Sequence, residues 1–198
     1  MAAATSGKRR HGPRKGDLRE KAILDAAEEL LGRDGIELMT VESIANRAGI
    51  SRAALYFYFG SKLDVLTALV KRTVDAMAEQ ADVAQAAESS ADDVITASVR
   101  HTADLWREHG LVLRAAVDLA SGAPEIRGLW TGTVTRYAAA MTEVLSRASR
   151  PDPAMAEALC WMTERTFYWA SVNGDDLDRT AETCAQIWCA TIRGTTDV

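Results

Sequence analysis

The sequence predicts an all-α protein, with a small N-terminal domain of three helices and a larger helical domain behind it. Three observations carry that expectation. Only 4 prolines interrupt 198 residues, 47% of them hydrophobic, a composition that suits a globular helical chain. Apolar residues recur three and four apart along most of the chain, the period of a helix with one buried face. Between Thr40 and Lys62, two short periodic runs are separated by a single glycine.

The first helix is expected from about Leu18 to Arg33, where Ile23, Ala26, Ala27, Leu30 and Leu31 share a face and Gly32 and Gly35 mark the end. Thr40 is suited to cap the second helix by accepting a backbone N–H bond, and Val41, Ile44, Ala45 and Ala48 form its apolar face. Gly49 ends it, because glycine readily takes the left-handed conformation a tight turn needs. Ile50 then fills the angle between helices, and Ser51 caps the third. This is a helix-turn-helix signature. Leu55 and Phe59, four apart, turn inward and leave Ser51, Arg52, Ala53, Tyr56 and Tyr58 nearer the outside. That face suits DNA: arginine bonds guanine or phosphate, a small alanine admits a thymine methyl or the backbone, and tyrosine hydroxyls and Lys62 reach phosphates. Helix-turn-helix spacing alone is common in small helical domains, but no core requires this outward set.

The helix from Leu18 to Arg33, followed by Ala48-Gly49-Ile50-Ser51, Leu55-Tyr56-Phe57-Tyr58-Phe59 and Ser61-Lys62, resembles the TetR family of bacterial regulators. The resemblance implies that Thr40, Ser51, Arg52, Ala53, Tyr56, Tyr58 and Lys62 stand where relatives touch DNA, Tyr56 and Lys62 on phosphates. Gly60 departs from the Pro or other residue that many relatives carry there.

The net charge of −5 looks wrong for a DNA binder until it is divided by position, since polyanions respond to local charge. Residues 1–62 carry 11 Lys and Arg against 8 Asp and Glu, and residues 63–198 carry 12 against 20. The three expected parts are a disordered basic arm over residues 1–16, the DNA-binding domain over 17–62, and a helical ligand-binding and dimerisation domain over 63–198. The arm holds Lys8, Arg9, Arg10, Arg14 and Lys15 among helix-disfavouring Gly and Pro. A solvated tail and an arm that tracks phosphates or enters a minor groove fit it equally well.

Several function classes are set aside. No apolar run approaches the roughly 20 residues of a membrane span, and the basic arm lacks the hydrophobic stretch of a secretory signal, so a cytoplasmic protein is expected. Cys160, Cys184 and Cys189 lack a C-x-x-C partner or nearby His and read as buried thiols, with a redox sensor as the alternative. His101 and His109 sit near no nucleophile motif or phosphate loop and read as surface or pocket residues. No enzyme activity, cofactor or metal is expected.

In the larger domain, Ser61 is suited to cap a helix with Asp64 in its first turn, and Leu63, Leu66, Leu69, Val70 and Val74 continue its apolar face. A loop is expected around Ala84 to Ser90, then helices over 91–108, 111–120, 125–148, 152–173 and 177–193, punctuated by Gly110, Pro124, Pro151, Pro153 and Gly174. All five tryptophans, Trp106, Trp130, Trp161, Trp169 and Trp188, lie here with Tyr137, Phe167 and Tyr168. Core, pocket and interface each have a claim on them. Two seams, Met155, Leu159, Met162, Thr166, Trp169 and Leu177, Ala181, Cys184, Trp188, Thr191, suit antiparallel helix packing. Two such helices from each of two subunits make a four-helix homodimer bundle, whose recognition helices reach half-sites about 34 to 36 Å apart on a palindromic operator.

A narrower resemblance, carried by Ser51-Arg52, Tyr56-Phe57-Tyr58-Phe59, Leu129-Trp130, Glu164-Arg165-Thr166 and Gln186-Ile187-Trp188, points to TetR members with a long hydrophobic channel closed by aromatics. It implies a small, elongated apolar ligand, with Trp106, Tyr137, Met141, Thr163, Tyr168 and Trp188 at the channel lining. Thr163 stands where an amide is found in that subgroup, and Tyr137 where an indole is. The expectation is ligand-relieved repression. An activator or ligand-blind DNA binder of the same fold, and a helical carrier or enzyme without a DNA role, stand as alternatives.

Overall fold

The computed structural model describes residues 15–84, 90–147 and 152–193, and every regular element among them is a helix. The order is α1 (Lys15–Leu38), α2 (Val41–Arg47), α3 (Arg52–Tyr58), α4 (Lys62–Ala84), α5 (Ala91–Leu119), α6 (Pro124–Arg147), α7 (Pro153–Asn173) and α8 (Leu177–Arg193). The chain forms two compact units, one running to Leu66 and the other starting at Thr67. Residues 1–14 of the expected arm, 85–89 of the expected loop, and Pro151 lie outside the described residues.

In the first unit, α1 buries Ile23, Leu24, Ala26, Ala27, Leu30 and Leu31, the expected stripe with Leu24 added. It starts earlier than expected, so Lys15 and Gly16 are helical. Gly32 is helical, and Gly35, at φ 74, kinks the helix shortly before it ends at Leu38. Thr40 caps α2: its Oγ1 accepts from the Ser43 N–H at 3.0 Å, and Ser43 Oγ accepts from the Thr40 N–H at 2.9 Å, a reciprocal pair that satisfies two otherwise orphaned donors. Beyond Ala48, Gly49 takes φ 67, which lets its N–H reach the Asn46 carbonyl at 3.2 Å and the Ile50 N–H reach that of Ala45 at 3.0 Å. Such a doubled closure requires a left-handed residue. Ser51 then caps α3 by accepting from Ala54 N–H at 3.1 Å. Arg47 of α2 grips Glu29 of α1 with both Nε and Nη2, which orients the pair although the contact is half exposed and therefore stabilises little.

In the second unit, α5 packs with α6, α7 and α8, and α7 packs with α6 and α8. Its start is capped by Ser90, which accepts from Asp93 N–H at 3.2 Å. The expected break at Gly110 does not occur, because α5 continues through it to Leu119. A Cβ at Gly110 would stand 3.1 Å from Ser171 Oγ of α7, so the glycine allows a close helix approach instead of ending a helix. Asp152 caps α7, Pro153 fills its first turn, and Gly174 at φ 74 ends it. On α4, capped by Ser61, Val65, Leu66, Leu69, Val70 and Val74 are buried, whereas Leu63 is 42% exposed. The α8 seam packs as expected, α8 lying against α7 and α5, and its Ala181, Cys184 and Trp188 are buried within the subunit's own core.

Gly49→Ala should lower stability by about 1–2 kcal/mol, the cost of a Cβ in the left-handed region, read as a shifted urea midpoint. Gly49→Asn should lose less, since asparagine tolerates that conformation.

Candidate functional site

On α3, the caps and turn fix a helix whose inner side is Leu55, fully buried, with Phe59 just beyond its end. Its outer side carries Ser51, Arg52, Ala53 and Tyr56, all exposed, and Tyr58, half-buried. Arg52 Nη2 donates to Tyr56 Oη at 3.2 Å, and the guanidinium lies 5.5 Å from the Tyr56 ring centre. The pair, one helical turn apart, presents a positive charge and a phenol side by side. Phe57, not singled out from the sequence, is 84% exposed and meets Tyr58 edge to face at 5.4 Å. A large apolar ring held in water on this face is what spacing alone did not announce. Thr40 and Ser51 use their hydroxyls as caps. Lys62 is half-buried, with Nζ donating to the Ile36 carbonyl at 2.9 Å, so its ammonium keeps two further donors.

The second unit holds a cavity of about 390 Å³, within the range of small-molecule sites. Its walls come from Met77 of α4 and from α5, α6, α7 and α8. Trp106 and Trp130 meet edge to face, 6.4 Å between ring centres and 89° between planes. Trp130 Nε1 donates to Glu164 Oε1 at 3.2 Å, and Trp188 Nε1 donates to Thr163 Oγ1 at 2.9 Å. Thr163 in turn donates to the Leu159 carbonyl at 2.8 Å. Tyr137 donates to the Met77 carbonyl at 3.4 Å, and burial, opposed by Arg136, raises its phenol pKa.

Five of the six residues assigned to the channel, Trp106, Tyr137, Met141, Thr163 and Trp188, stand together in the wall of this cavity. Tyr168 does not. It lies five residues beyond Thr163 on α7, roughly 140° around the helix, and its hydroxyl donates to Asp118 at 2.5 Å while Arg165 lies over its ring at 5.1 Å. Cys160, Thr163 and Glu164, spaced three and four apart, do share the cavity face. That spacing was the available signal for Glu164, yet a carboxylate in this setting reads from sequence as a solvated charge.

The cavity's polar groups are few. Glu164 is only 7% exposed, and burial pushes its carboxyl pKa up, against the opposing pull of Arg165 and the Trp130 hydrogen bond. Its Oε2 and the Nε2 of His101 are buried without a hydrogen-bond partner among the described residues. Burial, helped by Glu157, pushes the Cys160 thiol up to about 12, and burial raises that of Cys184 too. Such thiols stay protonated and are poor nucleophiles, which argues against the redox-sensor alternative. Among the described residues no cluster of metal-ligating side chains occurs, and no single helix is long and apolar enough to cross a membrane.

A capped recognition helix and a separate helical unit with an apolar cavity define a helix-turn-helix transcription regulator. The chain belongs to the TetR family: residues 23–69 match the pattern of bacterial regulatory proteins of that family, and residues 95–194 match the C-terminal domain of the transcriptional regulator EthR. It is 32% identical to the HTH-type transcriptional regulator EthR of Mycolicibacterium smegmatis over 96% of this chain and 93% of that protein. Against EthR of Mycobacterium tuberculosis the identity is 32% over 98% and 95%. Solved structures share the fold: a TetR-like regulator from Rhodococcus sp. RHA1 (TM-score 0.73, 21% identity, 93% of this chain and 100% of that one), and the regulator FadR from Bacillus subtilis in complex with stearoyl-CoA (0.71, 19%, 88% and 98%). The protein is thus an EthR-like transcription regulator and not an enzyme.

A carboxyl whose folded pKa is raised binds its proton more tightly in the fold, so it destabilises the fold increasingly as pH rises from the ordinary carboxylate range to the raised value. Glu164→Gln, which keeps an acceptor for Trp130, should therefore raise the melting temperature relative to wild type at pH 8 and much less at pH 4.

Proposed function

We propose that the protein is a ligand-relieved repressor: a homodimer that binds a palindromic operator and releases it when a small apolar effector fills the cavity. The observation that carries this reading is one chain holding both an outward Arg52–Tyr56–Phe57 surface on a capped helix and an apolar cavity walled by three indoles. In this reading Arg52 bonds guanine or phosphate, Ala53 and Phe57 meet thymine methyls or sugars, and Tyr56, Tyr58 and Lys62 contact phosphates. Ser51 and Thr40, hydroxyls already engaged as caps, position the helix and lie near the backbone. The basic residues ahead of α1, Lys8, Arg9, Arg10 and Arg14, either add phosphate contacts or remain solvated, and deleting them while titrating salt separates the two.

Dimerisation is supported by apolar side chains left exposed on α7 and α8. Trp169 is 54% exposed, Val172 42% and Ile187 40%, an unusual cost in water for a soluble helix pair. In a two-fold dimer these faces bury one another.

Relief of repression is a population shift. Helix α4 carries Met77 in the cavity wall and Lys62 at its first position, so an effector that displaces Met77 biases the helix that begins beside α3. An effector that prefers the non-binding spacing weakens operator binding by its differential affinity, commonly about 1 to 3 kcal/mol. Regulators of this fold are known with long-chain acyl-CoA, stearoyl-CoA in one and lauroyl-CoA in another; an elongated apolar chain is the part of those ligands this cavity suits.

Selecting genomic DNA fragments with the purified protein should return a palindromic site. On that site Arg52→Ala should weaken specific binding about tenfold or more without altering melting temperature, and Trp169→Asp should yield monomers by sedimentation that bind it poorly. Full-strength binding by both variants would contradict the reading.

A further inference from the structure

We propose that the effector carries a nitrogen donor, as an alkylamine does, whose N–H binds Glu164 Oε2, and that the cavity discriminates against carboxylate amphiphiles. The inference rests on the cavity being an effector site and assigns the chemistry of its polar end.

Three observations lead there. Glu164 lines the cavity at 7% exposure, yet only one of its oxygens is hydrogen-bonded, Oε1 to Trp130. Oε2 is buried with no hydrogen-bond partner among the described residues. Arg165 Nε stands 3.6 Å away, too far for a hydrogen bond, and its guanidinium, half exposed, lies over Tyr168. A carboxylate accepts at about four positions, and a buried acceptor without a donor is costly. Secondly, His101 on α5, in the same wall, leaves Nε2 without a hydrogen-bond partner, so a second polar contact is available to a head group. Thirdly, the lining contains Glu143 and Glu164 and, among the described residues, no Lys or Arg. A carboxylate or phosphate entering here meets like charge and no cation in the cavity wall, Arg165 standing behind Glu164 and outside the lining, whereas an ammonium meets a charge-assisted acceptor. The remaining wall, including Val99, Leu105, Val134, Met141 and Val144, takes the apolar chain. Elevation of the Glu164 pKa by burial is consistent with a carboxyl short of donors.

The test compares n-decylamine, n-decanol and decanoate, matched in chain length, binding by calorimetry to the full chain without DNA at neutral pH. Decylamine should bind about tenfold or more tighter than decanol, the size of one hydrogen bond to a buried charge, and decanoate weakest of the three. Glu164→Gln should bind decylamine and decanol alike, losing the preference for the amine. Decanoate binding as tightly as decylamine in wild type overturns the inference, with or without a folded variant, as does an amine preference that survives Glu164→Gln. Equal binding of all three overturns it while leaving an apolar effector cavity standing. Binding of none overturns both the effector cavity and the inference.

Discussion

Two indole N–H groups, received by consecutive residues of α7, are the contacts on which the second unit depends. Thr163 takes Trp188 from α8 and Glu164 takes Trp130 from α6, and Trp130 in turn meets Trp106 of α5 edge to face. Neighbours on a helix point about 100° apart, so two adjacent acceptors gather indoles from two different helices. An indole buried without an acceptor costs about 1 to 3 kcal/mol. With acceptors supplied, rigid flat side chains form walls that do not collapse inward. Protein interiors ordinarily close such space, and here about 390 Å³ stays open.

The same device leaves a polar residue in an apolar place. Glu164 serves Trp130 with one oxygen and has no hydrogen bond for the other. Its structural role and its availability to an effector therefore follow from a single side chain. The first unit shows no comparable tension. Thr40, Ser43, Gly49 and Ser51 satisfy the helix ends locally, which frees Arg52, Tyr56 and Phe57 to face outward.

Much of the first unit was legible in the sequence because its determinants are local. Caps at Thr40 and Ser51 and a left-handed Gly49 depend on residues within one or two turns, and each is found as expected. Phe57 escaped because a largely exposed phenylalanine runs against the hydrophobic pattern that marks inward positions. Reading Gly110 as a break failed for a non-local reason: Ser171, sixty-one residues on, is what crowds it. The α8 seam was correct as a seam, but periodicity cannot say whether a stripe meets its own subunit or another. Tyr168 came from resemblance, and the helical phase of α7 turns it from the cavity to Asp118. Glu164 was invisible as a site residue because burial of a charge is decided by tertiary packing, not by its neighbours in the chain.

The proposed function has one central claim, that the cavity and the operator are coupled. Coupling between two binding equilibria is reciprocal, so the most direct measurement is a closed cycle. Effector affinity is measured for the free protein and for the operator-bound protein, and operator affinity with and without saturating effector. If the account holds, the effector binds the DNA-bound form more weakly by the same factor by which it weakens operator binding. Equal effector affinity for the free and operator-bound protein would contradict it, however tightly each ligand binds alone.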